Sequence, residues 1–421
     1  MIMLDREKVG NAIAAQRKMK GMTQRNLADM LNVSYQAVSR WEQGISLPSV
    51  DMIYEIAQTL ETTVDFLLNG LSAEKKVMTY LDTGLDTKKL YLVKKRVQKL
   101  ITQDDALLHA HYVDPVFFRL NTSLMEDPVC VFACHGPGSK ERFAVEHGYD
   151  YEICTDLAAN ATNNLVRFGV KPTVLQAHVL CGNNDSGQLL IMGEAFKEFC
   201  ERNKIIFSGM EISAQAVNYQ PFEYKTNVTV IGITDKKDIL TGKDIMPGDL
   251  LIGLHTDGIY ATSYPFVKIM TDKKPEMLYA KIDDRHTFAD ALMQPNAAYL
   301  DVILKLREQN LLHGIFAVTN SLFKRKDYSM LPKGLSACIC VSEIPRLPLF
   351  RYLHQLDMMD EESFLRNFSL GIGMLVVVPK EHCDRAVKLI EPYHSCSVIG
   401  RIEEDKEYMD EKIWMEGKIK W

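Results

Sequence analysis

The sequence has no run of about 18 consecutive apolar residues, so no membrane-spanning helix is expected. Its first residues, Met1-Ile2-Met3-Leu4-Asp5-Arg6, lack the apolar core of a signal peptide. It has no CxxC pair. The nine cysteines are scattered and odd in number, which fits a reducing cytosol rather than a disulfide-stapled secreted chain. Positive charge is in deficit as well: 49 Lys and Arg against 55 Asp and Glu give a net charge of −6, which excludes a generally basic nucleic-acid coat protein. What remains is an ordinary globular composition, 47% hydrophobic and 25% charged, spread over 421 residues. That length predicts about two or three domains.

The charge is unevenly placed. Residues 1–70 carry 7 basic and 8 acidic side chains, residues 71–103 carry 8 and 3, and residues 104–421 carry 34 and 44. A nearly neutral segment is thus followed by a basic connecting stretch of +5 and an acidic body of −10. The basic stretch also reads simply as a solvated helix face. The acidic body disfavours nucleic acid wrapped around it and confines DNA contact to about the first hundred residues.

Residues 1–70 read as a bundle of five short helices. Val9, Ile13 and Ala14 recur at helical spacing before Gly21. Thr23 caps a second helix over about 24–31, and Ser34 a third over about 35–43 that Gly44 ends. Pro48-Ser49 opens a fourth, with Met52, Ile53, Ile56 and Leu60 inward, and a fifth follows around 64–68. Two short helices joined by a tight turn make a helix-turn-helix. The run Thr23-Gln24-Arg25-Asn26-Leu27-Ala28, followed by Val33-Ser34-Tyr35-Gln36-Ala37-Val38-Ser39-Arg40-Trp41-Glu42-Gln43-Gly44, resembles the XRE/Cro repressor family over about residues 5–70. Gln24, opening the second helix, suits a phosphate oxygen. Tyr35, Gln36, Ser39 and Arg40 project from the recognition helix, where Gln pairs with adenine and Arg with guanine or phosphate. Trp41 is expected to pack beneath the motif. Arg17, Lys18, Lys20, Arg25 and Arg40 are candidates for one phosphate-facing surface.

The remaining residues read as a two-part α+β domain. A basic amphipathic helix is expected over 88–102, and strands over 129–133, 173–180, 229–233, 250–254, 335–341 and 374–378. Helices are expected over 156–168, 188–203, 295–308 and 380–393. The polar stretch 234–248 is the best internal boundary. Five segments in order resemble the aminoimidazole ribonucleotide synthase (PurM) family: Tyr80-Leu81-Asp82-Thr83-Gly84-Leu85-Asp86; Cys134-His135-Gly136-Pro137-Gly138-Ser139-Lys140; 156–165 with Gly169-Val170-Lys171-Pro172; Pro247-Gly248-Asp249 through Asp257-Gly258; and Phe368-Ser369-Leu370-Gly371-Ile372-Gly373-Met374. The resemblance spans about residues 77–403. It implies two α+β halves (77–240 and 241–421), an ATP site in the first half, and dimerisation through the first half's sheet.

The chemistry that the resemblance implies is largely replaced. ATP-dependent cyclisation needs Mg²⁺ held by carboxylate oxygens. Where the family has three such aspartates, this sequence has His135, Asn164 and Ala177. The family's HxTGGG loop appears as Ala317-Val318-Thr319-Asn320-Ser321-Leu322, its GGET as Ser208-Gly209-Met210-Glu211, and its HSNG turn as Tyr260-Ala261-Thr262-Ser263. The binding frame survives: Gly136, Gly138, Ser139 and Lys140 suit an anion through amides and an ammonium, and Asp156, Asn160 and Asn163 share one helix face. These residues also read as relics that merely hold the loop. The pair His109 and His111, with His178, makes only a weak metal pattern, and Cys338-Ile339-Cys340 reads as a core strand.

The expectation is therefore a cytoplasmic transcriptional regulator that reads a palindromic operator as a homodimer. Its PurM-like part is inactive as an enzyme, binds no metal, and senses a small effector, with a nucleotide or purine intermediate implied by the resemblance alone. The alternatives are an active ATP-dependent cyclo-ligase-like enzyme with an attached reader, and a scaffold that only dimerises. For the reader, Gln36→Ala and Arg40→Ala should each weaken operator binding in a gel-shift assay by about 1–3 kcal/mol with the fold intact; unchanged binding refutes the assignment.

Overall fold

A computed structural model describes residues 5–69, 85–101, 107–109, 117–120, 122–182, 185–405, 413–419 and 421. The chain divides into two compact units, Met1–Asp82 and Thr83–Trp421.

The first unit contains α1 (Arg6–Met19), α2 (Gln24–Met30), α3 (Tyr35–Glu42), α4 (Val50–Thr59) and α5 (Val64–Asn69). Its start signals are side-chain caps, as expected at Thr23, Ser34 and Ser49 and in addition at Asp5; each accepts first-turn amides. Thr23 and Asn26 form a reciprocal capping box. The core gathers Val9, Ile13, Leu27, Val38, Ile53, Ile56, Leu60 and Leu67, with Trp41 buried among them rather than facing outward. Gly10 lets α1 approach α3 closely; a Cβ there would stand 2.3 Å from the Trp41 carbonyl oxygen.

One ion pair ties this unit together. Arg17 donates through Nε to Glu42 Oε1 at 2.6 Å and through Nη2 to Oε2 at 2.8 Å. Its Nη1 donates to the Met22 carbonyl at 2.6 Å, and Gln24 Nε2 donates to Glu42 Oε2 at 2.7 Å. The network fastens the turn before α2 and the end of α3 to α1, and Glu42 is the largest contribution holding the Arg17 guanidinium above its ordinary value.

In the second unit, α6 (Thr87–Gln98) precedes a short pair, β1 (Leu107–His109) and β2 (Phe117–Phe118). Then come β3 (Pro128–His135), α7 (Lys140–His147), α8 (Asp150–Val166), β4 (Pro172–Cys181), α9 (Ser186–Arg202), β5 (Ile206–Ala214) and β6 (Tyr224–Asp235). The strand order is β3-β6-β4-β5, antiparallel except for the parallel β4–β5 pair that α9 connects. The helices α8 and α9 pack on this sheet. On β3 burial alternates, leaving Cys130, Cys134 and Phe132 exposed, the last at 73%.

The second half holds β7 (Leu250–His255), α10 (Tyr264–Lys273), α11 (Phe288–Met293), α12 (Leu300–Glu308), β8 (Gly314–Ala317), β9 (Leu335–Cys340), α13 (Pro348–Gln355), α14 (Glu361–Asn367), β10 (Ile372–Val378), α15 (Cys383–Ile390), β11 (Cys396–Glu404) and β12 (Ile413–Glu416). They build a six-stranded sheet, β12-β9-β11-β7-β10-β8, in which only β12–β9 is parallel. All seven residues of β10 are buried, as befits a strand covered on both faces.

Every expected strand is present, and β1, β2, β5, β8, β11 and β12 are additional. The helix expected from 295 starts only at Leu300, because the α8 side chains Asp156 and Asn163 hold 296–299 as irregular chain. The expected helix 380–393 is α-helical only over Cys383–Ile390. Truncating Glu42 to Ala leaves Arg17 buried without its counter-charge. This should destabilise the first unit on the order of 3 kcal/mol, read as faster hydrogen exchange of the α1 and α3 amides.

Candidate functional site

Two sites follow from the two units. In the first, α3 projects Gln36 and Arg40 into solvent, with Tyr35 46% exposed at its start. Arg25 is exposed on α2, and Arg40 forms no ion pair to a described residue. Ser39 accepts from Gln43 Nε2 at 3.1 Å. Gln24 lies at the start of α2 with one amide proton already committed to Glu42. The five-residue cationic surface is reduced. Arg17 is buried against Glu42, and the exposed Lys20 pairs with Glu61, leaving Lys18, Arg25 and Arg40 exposed and without an ion pair to a described residue. The sequence could not show this, because Arg17 differs from its exposed neighbours only in where α3 packs.

The second site is a cleft of about 340 Å³ inside the larger unit. The first half contributes His135, Gly136 and Gly138 from the β3–α7 loop, and Asn160, Asn163 and Asn164 from α8. The second contributes Tyr260, Ala261, Thr262, Thr319, Lys324, Lys326 and Gly373, among others. Its size suits a small organic ligand. Gly138 turns the loop with φ +62°, and Gly373 lets its strand pack closely on the buried Tyr299, since a Cβ there would meet Tyr299 Oη at 2.1 Å. Tyr260 Oη donates to the Gly373 carbonyl at 3.1 Å, and Thr262 Oγ1 to the Thr319 carbonyl at 2.6 Å.

The expected anion-holding residues divide. Gly136, Gly138, Asn160 and Asn163 line the cleft. Ser139 is exposed, and its Oγ donates weakly to the Ala261 carbonyl at 3.4 Å. Lys140 does not present its ammonium to a ligand: it is 0% exposed, donates to the Ile259 carbonyl at 3.2 Å and lies 3.5 Å from Asp156 Oδ2. Burial pushes its pKa down against the opposing pull of Asp156. Asp156 in turn accepts from the backbone and side-chain amides of Asn296 at 2.8 and 2.9 Å. Asn163 donates to the Ala297 carbonyl at 2.8 Å and accepts from the Tyr299 amide at 3.1 Å. These polar groups clamp the two halves and are spent on that task.

Sequence reasoning missed Lys324 and Lys326, which supply the cleft's positive charge. Lys324 Nζ donates to Thr319 Oγ1 at 3.0 Å, Thr319 is held by the buried Asp327, and Lys326 is exposed. The signal was present as Lys324-Arg325-Lys326, a basic triplet just beyond the diverged glycine loop in an otherwise acidic body. No carboxylate lines the cleft among the described residues. Of the three positions where the family has metal aspartates, His135 and Asn164 reach the cleft, and Ala177 is buried inside β4. Imidazole and amides without a carboxylate do not fit Mg²⁺. The pairing of His109 with His111, and residues 80–84 of the first matching segment, fall outside the described residues. His178 bonds instead to Ser213 Oγ at 3.2 Å.

The architecture is thus a helical reader-type domain joined to a two-sheet domain with a cleft between its halves. Comparison with known proteins agrees. Residues 13–67 match the helix-turn-helix family model, and residues 246–410 match that of the C-terminal domain of AIR synthase related protein. The chain therefore carries an XRE-type helix-turn-helix domain and a PurM-like α+β domain. Phosphoribosylformylglycinamidine cyclo-ligase of Oceanobacillus iheyensis is 29% identical over 331 residues, covering 78% of this chain and 97% of that protein. The same-named protein of Chromobacterium violaceum is 28% identical over 280 residues, covering 66% and 81%. Among solved structures, thiamine-monophosphate kinase of Stenotrophomonas maltophilia aligns with a TM-score of 0.56 at 14% identity, covering 79% and 98%. HypE of E. coli aligns with 0.54 at 13%, covering 78% and 94%. No helix among the described residues is long and apolar enough to cross a membrane.

Burial holds the His135 imidazole below its ordinary 6.5, outweighing Asp156. The neutral ring's contribution to stability is complete above 6.5 and is lost as pH falls towards the folded value. His135 should therefore titrate below 6.5 by NMR, and His135→Asn should lessen the fall in melting temperature on acidification from pH 7.

Proposed function

We propose that the chain is a DNA-binding transcriptional regulator whose PurM-like domain has exchanged catalysis for effector binding. In this reading residues 1–70 recognise the operator, 71–103 lead onward from the reader, 77–240 dimerise, and 241–421 complete the cleft. The observation that carries the reading is the cleft's donor set: glycine loop, amides, hydroxyls and two lysines, with no carboxylate lining it among the described residues. Such a set attracts a phosphorylated ligand but cannot organise Mg²⁺ across a transferring phosphate.

A nucleotide or purine-pathway intermediate is the proposed effector, by analogy with the cyclo-ligases that the chain resembles. Dimerisation is proposed through the open face of the first sheet, where Phe132, Cys130 and Cys134 of β3 lie beside the half-buried Ile231 and Ile233 of β6. A two-fold dimer presents two recognition helices and calls for a palindromic site. The effector acts only if it favours one arrangement of the two readers.

The second reading, an active cyclo-ligase with an attached reader, is favoured by one fact: a named cyclo-ligase aligns over 97% of its own length. One experiment separates the two. A panel of purine nucleotides and phosphorylated intermediates is added to the full chain in EDTA. A binder should raise stability by about 2.7 kcal/mol at a hundredfold excess over Kd, without phosphate release when Mg²⁺ is restored. Lys324→Ala and Lys326→Ala should each cost on the order of 1.5–3 kcal/mol of that binding. Turnover with Mg-ATP establishes the enzyme instead, and a panel without any stability shift leaves the domain a dimerising scaffold.

A further inference from the structure

Away from the cleft, the edge of the six-stranded sheet gathers three groups that nothing above employs. Cys338 and Cys340 alternate along β9, so their thiols point to the same face. β12 runs beside it in parallel, with Glu416 opposite Cys340. The Glu416 Oε2 atom lies 3.6 Å from Cys338 Sγ and 3.5 Å from Cys340 Sγ, and the ligand atoms of all three residues lie within 4.8 Å of one another. The strand reading of these cysteines holds, but the core reading holds only for Cys338; Cys340 is half-buried and opens on this face.

The two sulfur–oxygen separations are those of a coordination shell. Tetrahedral zinc with bonds of about 2.3 Å to sulfur and about 2.0–2.2 Å to oxygen requires sulfur–oxygen edges of roughly 3.5 Å. The place is also built for positive charge. Arg401 Nη1, from the neighbouring strand β11, lies 2.6 Å from the same Oε2 and 3.7 Å from Cys340 Sγ. The guanidinium has an alternative partner to turn towards, because its Nε already donates to Glu403 at 2.6 Å.

We propose that Cys338, Cys340 and Glu416 form a binding site for a thiophilic divalent cation, zinc foremost, with water as fourth ligand and Arg401 displaced onto Glu403. Binding releases two thiol protons to solvent and involves no redox change. Because those protons must leave, affinity increases with pH. The bound ion ties β12 to β9 at the sheet's edge.

The test uses the full chain, stripped of metal and kept reduced, titrated with Zn²⁺ against a chromophoric chelator and separately with Co²⁺. One equivalent should bind, and the Co²⁺ form should show thiolate charge-transfer and tetrahedral bands. Cys340→Ser and Glu416→Gln should each weaken binding about tenfold or more, beyond the lower end of what losing a supporting contact costs. Cys130→Ser and Cys134→Ser should leave it unchanged, and Arg401→Ala should retain or tighten it. Undiminished binding in Cys340→Ser, or Co²⁺ spectra of wild type without thiolate bands, overturns the proposal. Because the spectra are read on the wild-type chain, a variant that fails to fold does not protect it.

Discussion

The larger unit depends on one buried charge pair. Lys140 and Asp156 face each other without solvent, and each extends its reach across the halves, Lys140 to the Ile259 carbonyl and Asp156 to both amides of Asn296. Removing two charges from water is expensive, and attraction alone seldom repays it. Here the remaining hydrogen-bonding capacity is spent on the partner half, so desolvation is offset by groups that need partners anyway. Asn163 and Thr256 extend the same seam: Thr256 donates to Asn296 at 3.1 Å and accepts from the Ala297 amide at 3.1 Å. The cleft lies along this seam and inherits its rigidity, because the loop, α8 and segment 296–299 are held in mutual register before a ligand arrives.

The seam also accounts for the division between residues that bind and residues that hold. A glycine loop ending in lysine invites the reading of a phosphate cradle, and the sequence alone offers no reason to think otherwise. Burial decides it. Lys140 points inward at Asp156, and Lys324 and Lys326 from beyond the second half's diverged loop take the exposed cationic role. In the smaller unit the same distinction separates Arg17, locked onto Glu42, from Arg25 and Arg40, which remain in solvent.

Legibility followed the strength of the local signal. The caps at Thr23, Ser34 and Ser49 and the apolar faces of α2 to α4 are properties of adjacent residues, and they could be read directly. The strand β10 could be read because Met374 to Val378 is apolar throughout. The strands that escaped notice lack such marks. β8 is four residues long, β11 mixes Ser397, Gly400 and Arg401 among its apolar residues, and β12 owes its place to pairing with β9 across long sequence separation. The late start of α12 was hidden for a related reason: hydrogen bonds from a helix 140 residues away hold the chain that propensity would have coiled. The frame of the cleft was visible as glycines and amides, while its charge was only hinted at by the triplet 324–326, since nothing local says that the fold brings this triplet to the cleft.

The cleft's positive charge has a further consequence because it resides on side chains. A metal ion must be recruited from solution, and its occupancy follows its concentration and every chelator present. An ammonium on Lys324 or Lys326 is tethered, so its effective concentration at the cleft is set by the reach of its own stem. Response to an anion at such a site follows the anion alone, and it is insulated from any divalent-ion supply.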